Sequence, residues 1–258
     1  MKVFNNPIKN IAYFGYRLIN PIIDPIRLLA GIIGYVWYIN DMVRYMMKDP
    51  SARLLSLNLY PILNEKVPYT PFDAHYYYQE LWLFEQVLRE MPKKHIDIAS
   101  SHQLSGYISK LIPTTFIDMR PVSVKLKNLT IKKGNLLKLP YRKNSVHSLS
   151  CLHSIEHVGL GRYGDSIDPK GTKKACHELS RILAVGGKLY ISLPIGKDRI
   201  CFNAHRVHSL KTVLKYFEKL KLISYSIITD DGKFYEKVNP KNYSTQNYAC
   251  GLFMFTKL

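Results

Sequence analysis

Apolar residues recur along this chain in two patterns, which predict alternating helices and strands. Residues 74–90 have apolar positions at helical spacing and predict a helix whose core face is Tyr77, Leu81, Phe84 and Leu88. Short apolar runs after this helix predict strands. Glycines 186 and 187 are expected to end the helix predicted at residues 172–183. The predicted order is strand 95–99, helix 103–111, strands 114–118, 129–131 and 146–152, helix 172–183, strand 188–193, helix 209–220, and strands 222–228 and 248–256.

This alternation predicts an α/β fold with a largely parallel sheet covered by helices on both faces. The carboxyl ends of parallel strands meet at one edge of the sheet, where ligands bind. Polar side chains follow the predicted strands at residues 97–101, 118, 134–135, 153–165 and 194–206. Asp118 lies about twenty residues after Asp97, which is the separation typical of a carboxylate that binds a ribose. The sequence therefore predicts a nucleoside site at this edge.

The first turn of the predicted site differs from a dinucleotide fingerprint. Residues 99–103 read Ala-Ser-Ser-His-Gln, with no glycine before Gly106. Glycines are what allow a backbone to approach a pyrophosphate closely. A ligand without a pyrophosphate is therefore expected.

Residues 148–165 contain the sharpest change from apolar to polar side chains. The predicted strand 146–152 stops at a segment that includes His153, Glu156 and His157, followed by three glycines. The pattern H-x-x-E-H also occurs in zinc proteases, but those need a long helix and a distant further ligand. A magnesium site is an alternative, yet we expect no metal. His205 and Arg206 follow the next strand and face either the same cleft or solvent.

The N-terminal segment is predicted to form a separate extension. Residues 28–39 are an apolar stretch flanked by Arg17, Arg27, Arg44 and Lys48. Spanning a bilayer takes roughly 20 apolar residues, so this stretch is expected to be too short. It predicts either a helix packed on the main domain or an interfacial helix with Trp37 at headgroup level. Prolines 61, 68 and 71 predict a linker over 60–72, so the expected domains are 1–66 and 67–258.

The chain is strongly basic, with 37 Lys and Arg against 19 Asp and Glu and a net charge of +18. This charge favours anionic partners such as phospholipid headgroups, nucleic acid or phosphorylated substrates, although the basic residues are dispersed and also fit a generally basic surface. The four cysteines form no C-x-x-C pair, which fits a reducing compartment. A cytoplasmic protein, peripheral at the inner face of the membrane, is the expected localisation.

Several runs resemble known families. Residues 134–146 (GNLLKLPYRKNSV), 150–158 (SCLHSIEHV) and 175–194 resemble class I S-adenosylmethionine-dependent methyltransferases acting on small molecules, quinones and lipids. Residues 75–82 (HYYYQELW), 156–165 (EHVGLGRYGD) and 202–206 (FNAHR) more narrowly resemble the family called domain of unknown function 268. Its bacterial members are associated with surface-polysaccharide gene clusters. The resemblance covers residues 75–258.

The resemblance implies a Rossmann-like sheet of seven strands, the last antiparallel, with helices on both faces and an N-terminal helical extension. It also implies S-adenosylmethionine as cofactor. Asp118 would bind the ribose and Asn135 the adenine edge, although they could instead only cap a segment and form a turn. Ala99 stands where the first motif usually has glycine. The expected cofactor-binding residues are Asp97, Ala99, Ser100, Ser101, Asp118, Asn135, Leu136 and His153.

The expected reaction is methyl transfer to a hydroxyl oxygen of a small-molecule or glycan acceptor. His157 is the predicted general base beside Glu156, with His205 in reserve. The expected acceptor-binding residues are Arg162, Tyr163, Asp165, Asn203 and Arg206. One alternative is a methyltransferase-fold binding module without catalysis. Nucleic-acid methylation is disfavoured, because Cys-Leu-His-Ser at 151–154 stands where such enzymes carry Asn-Pro-Pro-aromatic.

Overall fold

A computed structural model describes residues 7–49, 51 and 59–258. The chain divides into two compact units, Met1–Pro71 and Phe72–Leu258, which are described separately below. The division into an extension at 1–66 and a methyltransferase-like domain at 67–258 remains a prediction.

In the N-terminal unit, helix α1 is Pro7–Ile19 and helix α2 is Pro25–Lys48. The Asp24 side chain caps α2 by accepting hydrogen bonds from the backbone N–H groups of Ile26 and Arg27. The 24 residues of α2 rise by roughly 36 Å and have a mean hydropathy of 1.2. By length and composition α2 can cross a membrane, although buried core helices and signal sequences pass the same test. The expectation that this segment is too short to span is therefore wrong, because the helix continues beyond residue 39.

Helix α2 exposes most of its apolar side chains. Only 6% of its most apolar window is buried. Gly34 is its buried residue, and a Cβ there would lie 2.8 Å from Leu63 Cβ. Lys66 pairs with Asp41 at 2.9 Å and lies 4.6 Å from the ring centre of Trp37. Residues 59–71 thus pack along α2 without forming a helix or strand.

The second unit begins with helix α3, Ala74–Glu90, whose buried face differs from the predicted one. Tyr77, Leu81 and Leu88 are exposed, so that prediction is wrong. The neighbouring face of the helix packs against the sheet instead. On this face, Trp82 lies edge-on to Tyr190, with ring centres 5.9 Å apart. Two residues of this face are glutamines, which a count of apolar positions assigns to solvent. The buried residues of α3 are Gln79, Trp82, Leu83, Gln86 and Val87.

The predicted α/β class is confirmed, with an eight-stranded sheet in place of the predicted seven strands. Its order is β3-β2-β1-β4-β5-β10-β8-β9. Strands β3, β2, β1, β4 and β5 are mutually parallel, whereas β10 runs antiparallel between β5 and β8. The strands of this sheet are β1 His95–Ile98, β2 Thr114–Asp118, β3 Leu129–Lys133, β4 Val146–Leu152, β5 Leu183–Ile195, β8 Lys221–Ile228, β9 Phe234–Tyr235 and β10 Ala249–Thr256.

Helices cover the sheet on both faces and enclose two apolar clusters. The larger cluster lies under the fifth and sixth helices and includes Leu149, Leu179 and Phe253. The smaller lies under α3 and the fourth helix and includes Trp82 and Leu252. The remaining helices of this unit are α4 His102–Ile108, α5 Gly171–Ile182 and α6 Leu210–Tyr216.

Two features between these elements differ from expectation. Helix α5 passes directly into β5, so the prediction that Gly186 and Gly187 end that helix is wrong. A Cβ on Gly187 would lie 2.9 Å from the Ala184 carbonyl oxygen, so the backbone of β5 has no room for a side chain at this position. After β5, strands β6 Arg199–Cys201 and β7 His205–Val207 form a separate antiparallel hairpin that the hydrophobic pattern does not predict.

Candidate active site

A cavity of about 800 Å³ lies at the carboxyl ends of β1, β2 and β4. This volume falls within the range typical of small-molecule sites, roughly 300–1,000 Å³. Helix α3 and the loop after β4 complete its wall. The predicted site residues in this wall are Ala99, Ser100, Ser101, Asp118, Asn135, Leu136, His153, His157, Tyr163 and Asp165.

The loop after β1 holds Ala99 in a left-handed conformation, with φ of 54°. The Ala99 N–H donates to the Ile117 carbonyl at 2.8 Å, and its own carbonyl accepts from the Ser154 hydroxyl. Ser100 Oγ accepts from the Leu152 N–H at 2.9 Å. These bonds connect the ends of β1, β2 and β4. They impose on Ala99 a conformation that costs a non-glycine residue about 1–2 kcal/mol.

Replacing Ala99 by glycine is expected to raise the melting temperature by about 2–4 °C. Relief of the left-handed strain exceeds the entropy that glycine loses on folding, for a net gain of about 1 kcal/mol. Ala175, inside α5, is the matched control, because Ala175→Gly should lower the melting temperature by a similar amount. Thermal unfolding followed by circular dichroism measures both variants. Equal destabilisation by the two glycines would show that the Ala99 backbone is unstrained.

Asp97 lies behind this loop and not in the cavity wall. Its carboxylate is fully buried and accepts from the Ser105 hydroxyl at 2.9 Å and from the Ser100 N–H at 3.3 Å. Burial raises the pKa of this carboxyl to about 6. The bonds show that Asp97 organises the backbone of residues 100–105.

Asp118 and Asn135 lie in the cavity wall at the ends of β2 and β3. Asp118 Oδ1 accepts from the Arg120 N–H at 2.6 Å, and Asn135 Oδ1 accepts from the Leu137 N–H at 2.8 Å. Each side chain therefore supports a local turn while it borders the cavity. A Cβ on Gly134 would lie 2.4 Å from Ile117 Cγ2, so only glycine lets this turn approach β2 so closely.

A fully buried carboxylate, Glu156, lies between two histidines after β4. A short 3₁₀ helix at Ile155–His157 places Glu156 Oε1 at 2.7 Å from His153 Nδ1 and 3.6 Å from His157 Nε2. Burial alone would raise the pKa of Glu156, but the charge and hydrogen bond of His153 outweigh burial and lower it. The carboxylate is therefore ionised at neutral pH and favours a positive charge on its neighbours.

His157 has its tautomer fixed by the hairpin. Its Nδ1–H donates to the Ala204 carbonyl at 2.6 Å, which leaves Nε2 as the atom that can accept a proton. Burial lowers the pKa of His157, so the ring is neutral at pH 7. A neutral imidazole can accept a proton and so act as a general base.

Six of the predicted residues lie beside or behind the cavity wall. Asp97 and Glu156 are two of them. The His205 ring centre lies 6.4 Å from that of His157, and burial lowers the pKa of His205 to about 4. Arg162 donates to the Ala204 carbonyl at 3.1 Å, and Asn203 donates to the Leu160 carbonyl at 3.4 Å.

Arg206, the last of the six, fastens the loop that follows β4. Its buried guanidinium donates to the carbonyls of Val158 at 2.6 Å and Asp168 at 3.1 Å, and to Thr172 Oγ1 at 3.2 Å. Asp165, predicted to bind the acceptor, also closes this loop by accepting from the Gly159 N–H at 2.6 Å. Both side chains therefore shape the segment around residues 158–168.

Several residues of the wall are absent from the sequence prediction. The Tyr76 ring stacks on that of His153 with centres 5.4 Å apart, and the Arg120 guanidinium lies 4.2 Å from the ring centre of Tyr163. Tyr76 belongs to the run HYYYQELW, which supported the resemblance and could have indicated it. No pattern in the sequence indicates Arg120. Other wall residues of this kind are Gln79, Met119, Val122, Ile167 and Lys174.

The strand order, with a cavity at the carboxyl edge of the parallel strands, defines a Rossmann-like α/β fold. A candidate sarcosine dimethylglycine methyltransferase from Galdieria sulphuraria superposes with a TM-score of 0.52 and 14% identity, covering 70% of this chain and 86% of its own. At this identity the likeness shows the fold alone. The predicted Rossmann-like fold is thereby confirmed.

Two further methyltransferases are similar with lower scores. An S-adenosylmethionine-dependent methyltransferase from Thermotoga maritima has a TM-score of 0.46 and 13% identity, covering 71% of this chain and 91% of its own. A geranyl diphosphate methyltransferase in complex with GPP and sinefungin has a TM-score of 0.48 and 12% identity, covering 70% and 78%.

The more particular assignment comes from a family model. Residues 118–232 match the family described as "Caenorhabditis protein of unknown function, DUF268". The predicted resemblance to this family is confirmed over these residues, which make up less than half of the chain. No curated protein matches the chain.

Proposed function

We propose that this protein is a methyltransferase that uses S-adenosylmethionine to methylate a hydroxyl group of a small-molecule or glycan acceptor. The main support is the arrangement of one cavity wall, which brings Asp118 and Asn135 together with His157 and the adjacent Glu156. The first pair suits a nucleoside, and the second suits a proton transfer. The two chemistries border a single space of about 800 Å³.

The residues of the wall fit the cofactor. The carboxylate of Asp118 can accept hydrogen bonds from two ribose hydroxyls. Asn135 uses its carbonyl oxygen in a turn, so its amide nitrogen is the group that can donate to the adenine edge. Ser100 and Ser101 face the cavity without the glycines that a pyrophosphate requires, which suits a ligand lacking one. The cofactor, when bound, supplies an electrophilic methyl group on a sulfonium.

The protein contributes alignment and a place for the acceptor's proton. Methyl transfer is an in-line displacement, so holding the two reactants at the right distance provides much of the rate. His157 Nε2 accepts the hydroxyl proton as the oxygen attacks, and Glu156 stabilises the imidazolium that results. His205, 6.4 Å away between ring centres, is the reserve base.

Incubation of the protein with labelled S-adenosylmethionine and a lysate or glycan extract tests this function. S-adenosylhomocysteine should accumulate only when an acceptor-containing extract is present. A protein that binds the cofactor but forms no product with any extract would instead support a binding module. The left-handed alanine at the first motif favours that second candidate.

The same proposal places the protein at the cytoplasmic face of a membrane through its N-terminal unit. Leu29, Ile32 and Val36 on α2 are 60–69% exposed, far more than a packed helix face would be. Arg27 and Lys48 near its ends can reach lipid phosphates. The net charge of +18 adds attraction to anionic lipids.

The double variant Ile32→Glu/Val36→Glu is expected to weaken binding to phosphatidylserine vesicles by at least about 100-fold. Inserting each side chain into lipid contributes about 1.5–3 kcal/mol, and charge removes that gain. Co-sedimentation of the full chain measures the partition. Ile200→Glu is the matched control, since Ile200 on β6 is 62% exposed but lies in the other unit. Attachment through α2 would be ruled out if the unaltered protein, the double variant and the control sediment equally with the vesicles. It would also be ruled out if none of them sediments.

A further inference from the structure

His75, His153 and Cys250 form a cluster beside the cavity. One potential ligand atom of each residue lies within 4.8 Å of those of the other two. They come from three separate elements, namely the first turn of α3, the end of β4 and the second residue of β10. The ring centres of His75 and His153 are 5.6 Å apart and nearly parallel. The fold therefore gathers two imidazoles and a thiol at one point.

The orientation of His153 provides a second, independent observation. Its Nδ1 is held by Glu156 Oε1 at 2.7 Å, and its side chain is only 6% exposed. Its other nitrogen, Nε2, is buried and has no hydrogen-bond partner within the described part of the chain. Leaving such a buried atom unpaired is unfavourable, because it loses its bonds to water and gains none in the protein. A histidine with one nitrogen on a buried carboxylate and the other free is the arrangement found at metal sites.

We propose that His75, His153 Nε2 and Cys250 Sγ bind a zinc-class divalent ion. Binding would release the protons on His153 Nε2 and on the Cys250 thiol, and the resulting two imidazoles and thiolate suit Zn²⁺, with distances of about 2.0–2.1 Å to nitrogen and about 2.3 Å to sulfur. Glu156 fixes the His153 ring from behind. Three protein ligands leave a fourth position for water or a ligand, and because His153 also lines the cavity, the ion lies at its edge.

This site differs from the one that the H-x-x-E-H pattern suggests. In that pattern both histidines bind the metal, whereas here His157 Nδ1 is bound to the Ala204 carbonyl and Glu156 supports His153. The ligands are also distant in sequence, with no spacing that indicates a metal. The sequence-based expectation of no metal followed from the wide separation of the four cysteines, which form no C-x-x-C pair.

Titration of the full-length, reduced protein with Co²⁺ tests the proposal, because a cobalt–thiolate bond has its own charge-transfer absorption. One equivalent should bind and produce this band. Cys250→Ser should abolish the band, whereas Cys201→Ser, at a half-buried cysteine on the hairpin, should leave it unchanged. Failure to bind one equivalent, or a band that persists in Cys250→Ser, would overturn the proposal.

Two further variants keep the test decisive if Cys250→Ser does not fold. His75 is only partly buried, and His75→Ala should lower Zn²⁺ affinity by more than the 10–100-fold expected for the supporting variant Glu156→Gln. Competition with a zinc chelator measures these affinities. Wild-type affinity in His75→Ala would overturn the proposal. Cofactor affinity, measured separately by calorimetry, should be unchanged in His75→Ala, so the metal site and the proposed methyl transfer can fail independently.

Discussion

Replacing His157 by alanine is expected to lower turnover by about 10² to 10⁴-fold while cofactor affinity changes little. A hydroxyl oxygen attacks well only as its proton leaves, and in the proposed reaction His157 Nε2 is the atom that accepts this proton. Single-turnover kinetics with saturating cofactor measures the chemical step. His177→Ala is the matched control, because His177 is an exposed histidine on α5.

The pH profile gives the same prediction a second readout. Burial lowers the pKa of His157 from its usual value of 6.5, and this outweighs the opposing charge of Glu156. The neutral base is therefore present at and above pH 6.5, and the rate should fall only at more acidic pH. The charge of Arg162, whose guanidinium lies 3.3 Å from His157 Nδ1, lowers the pKa further. Full turnover in His157→Ala would move the role to His205, and lost cofactor binding would make His157 structural.

Replacing Asp118 by alanine is expected to weaken S-adenosylmethionine binding by about 10² to 10⁴-fold. The carboxylate accepts two ribose hydroxyls in the proposed complex, and each charge-assisted bond contributes about 1.5–3 kcal/mol. Asp118→Asn, which can still accept from the Arg120 N–H, should give an intermediate loss and separates the charge from the turn.

Isothermal calorimetry with S-adenosylmethionine measures these affinities, and the melting temperature reports on folding. Asp231→Ala removes an exposed carboxylate outside the cavity wall and should bind the cofactor as the unaltered protein does. Unchanged affinity in Asp118→Ala would remove this residue from the site.

Strands β2 and β4 have the predicted bounds, because each is a short apolar run bounded by polar residues. Strand β5 begins five residues before its prediction, and β9 was not predicted. The buried face of α3 could not be predicted from apolar positions, because the polar residue Gln79 occupies a core position. It accepts a hydrogen bond there from the Ser192 hydroxyl of β5, a contact between residues 113 positions apart. The hairpin β6–β7 has three-residue strands, too short to show alternation.

The position of Asp118, Asn135 and His157 in the cavity wall was predictable, because each lies at the carboxyl end of a predicted strand or in the segment after it. It was not predictable where a side chain bonds to distant backbone. Arg206 was expected to face an acceptor, and instead its guanidinium is held by carbonyls 38 and 48 residues away. Carbonyl groups carry no signature in sequence, so such a role becomes visible only in three dimensions.

The hydrogen bonds by which Arg206 holds the loop after β4 bear on how the protein would select an acceptor in the proposed methyl transfer. The backbone of Gly159 also packs closely against that of Asp168 in this loop, since a Cβ on Gly159 would lie 2.2 Å from the Asp168 carbonyl oxygen. A loop held at both ends is already ordered in the folded protein, so acceptor binding does not carry the entropic cost of ordering it. Binding then needs little further ordering. Discrimination among acceptors would accordingly rest on fit to a preformed mouth, and an ill-fitting sugar would be rejected without the loop adapting to it.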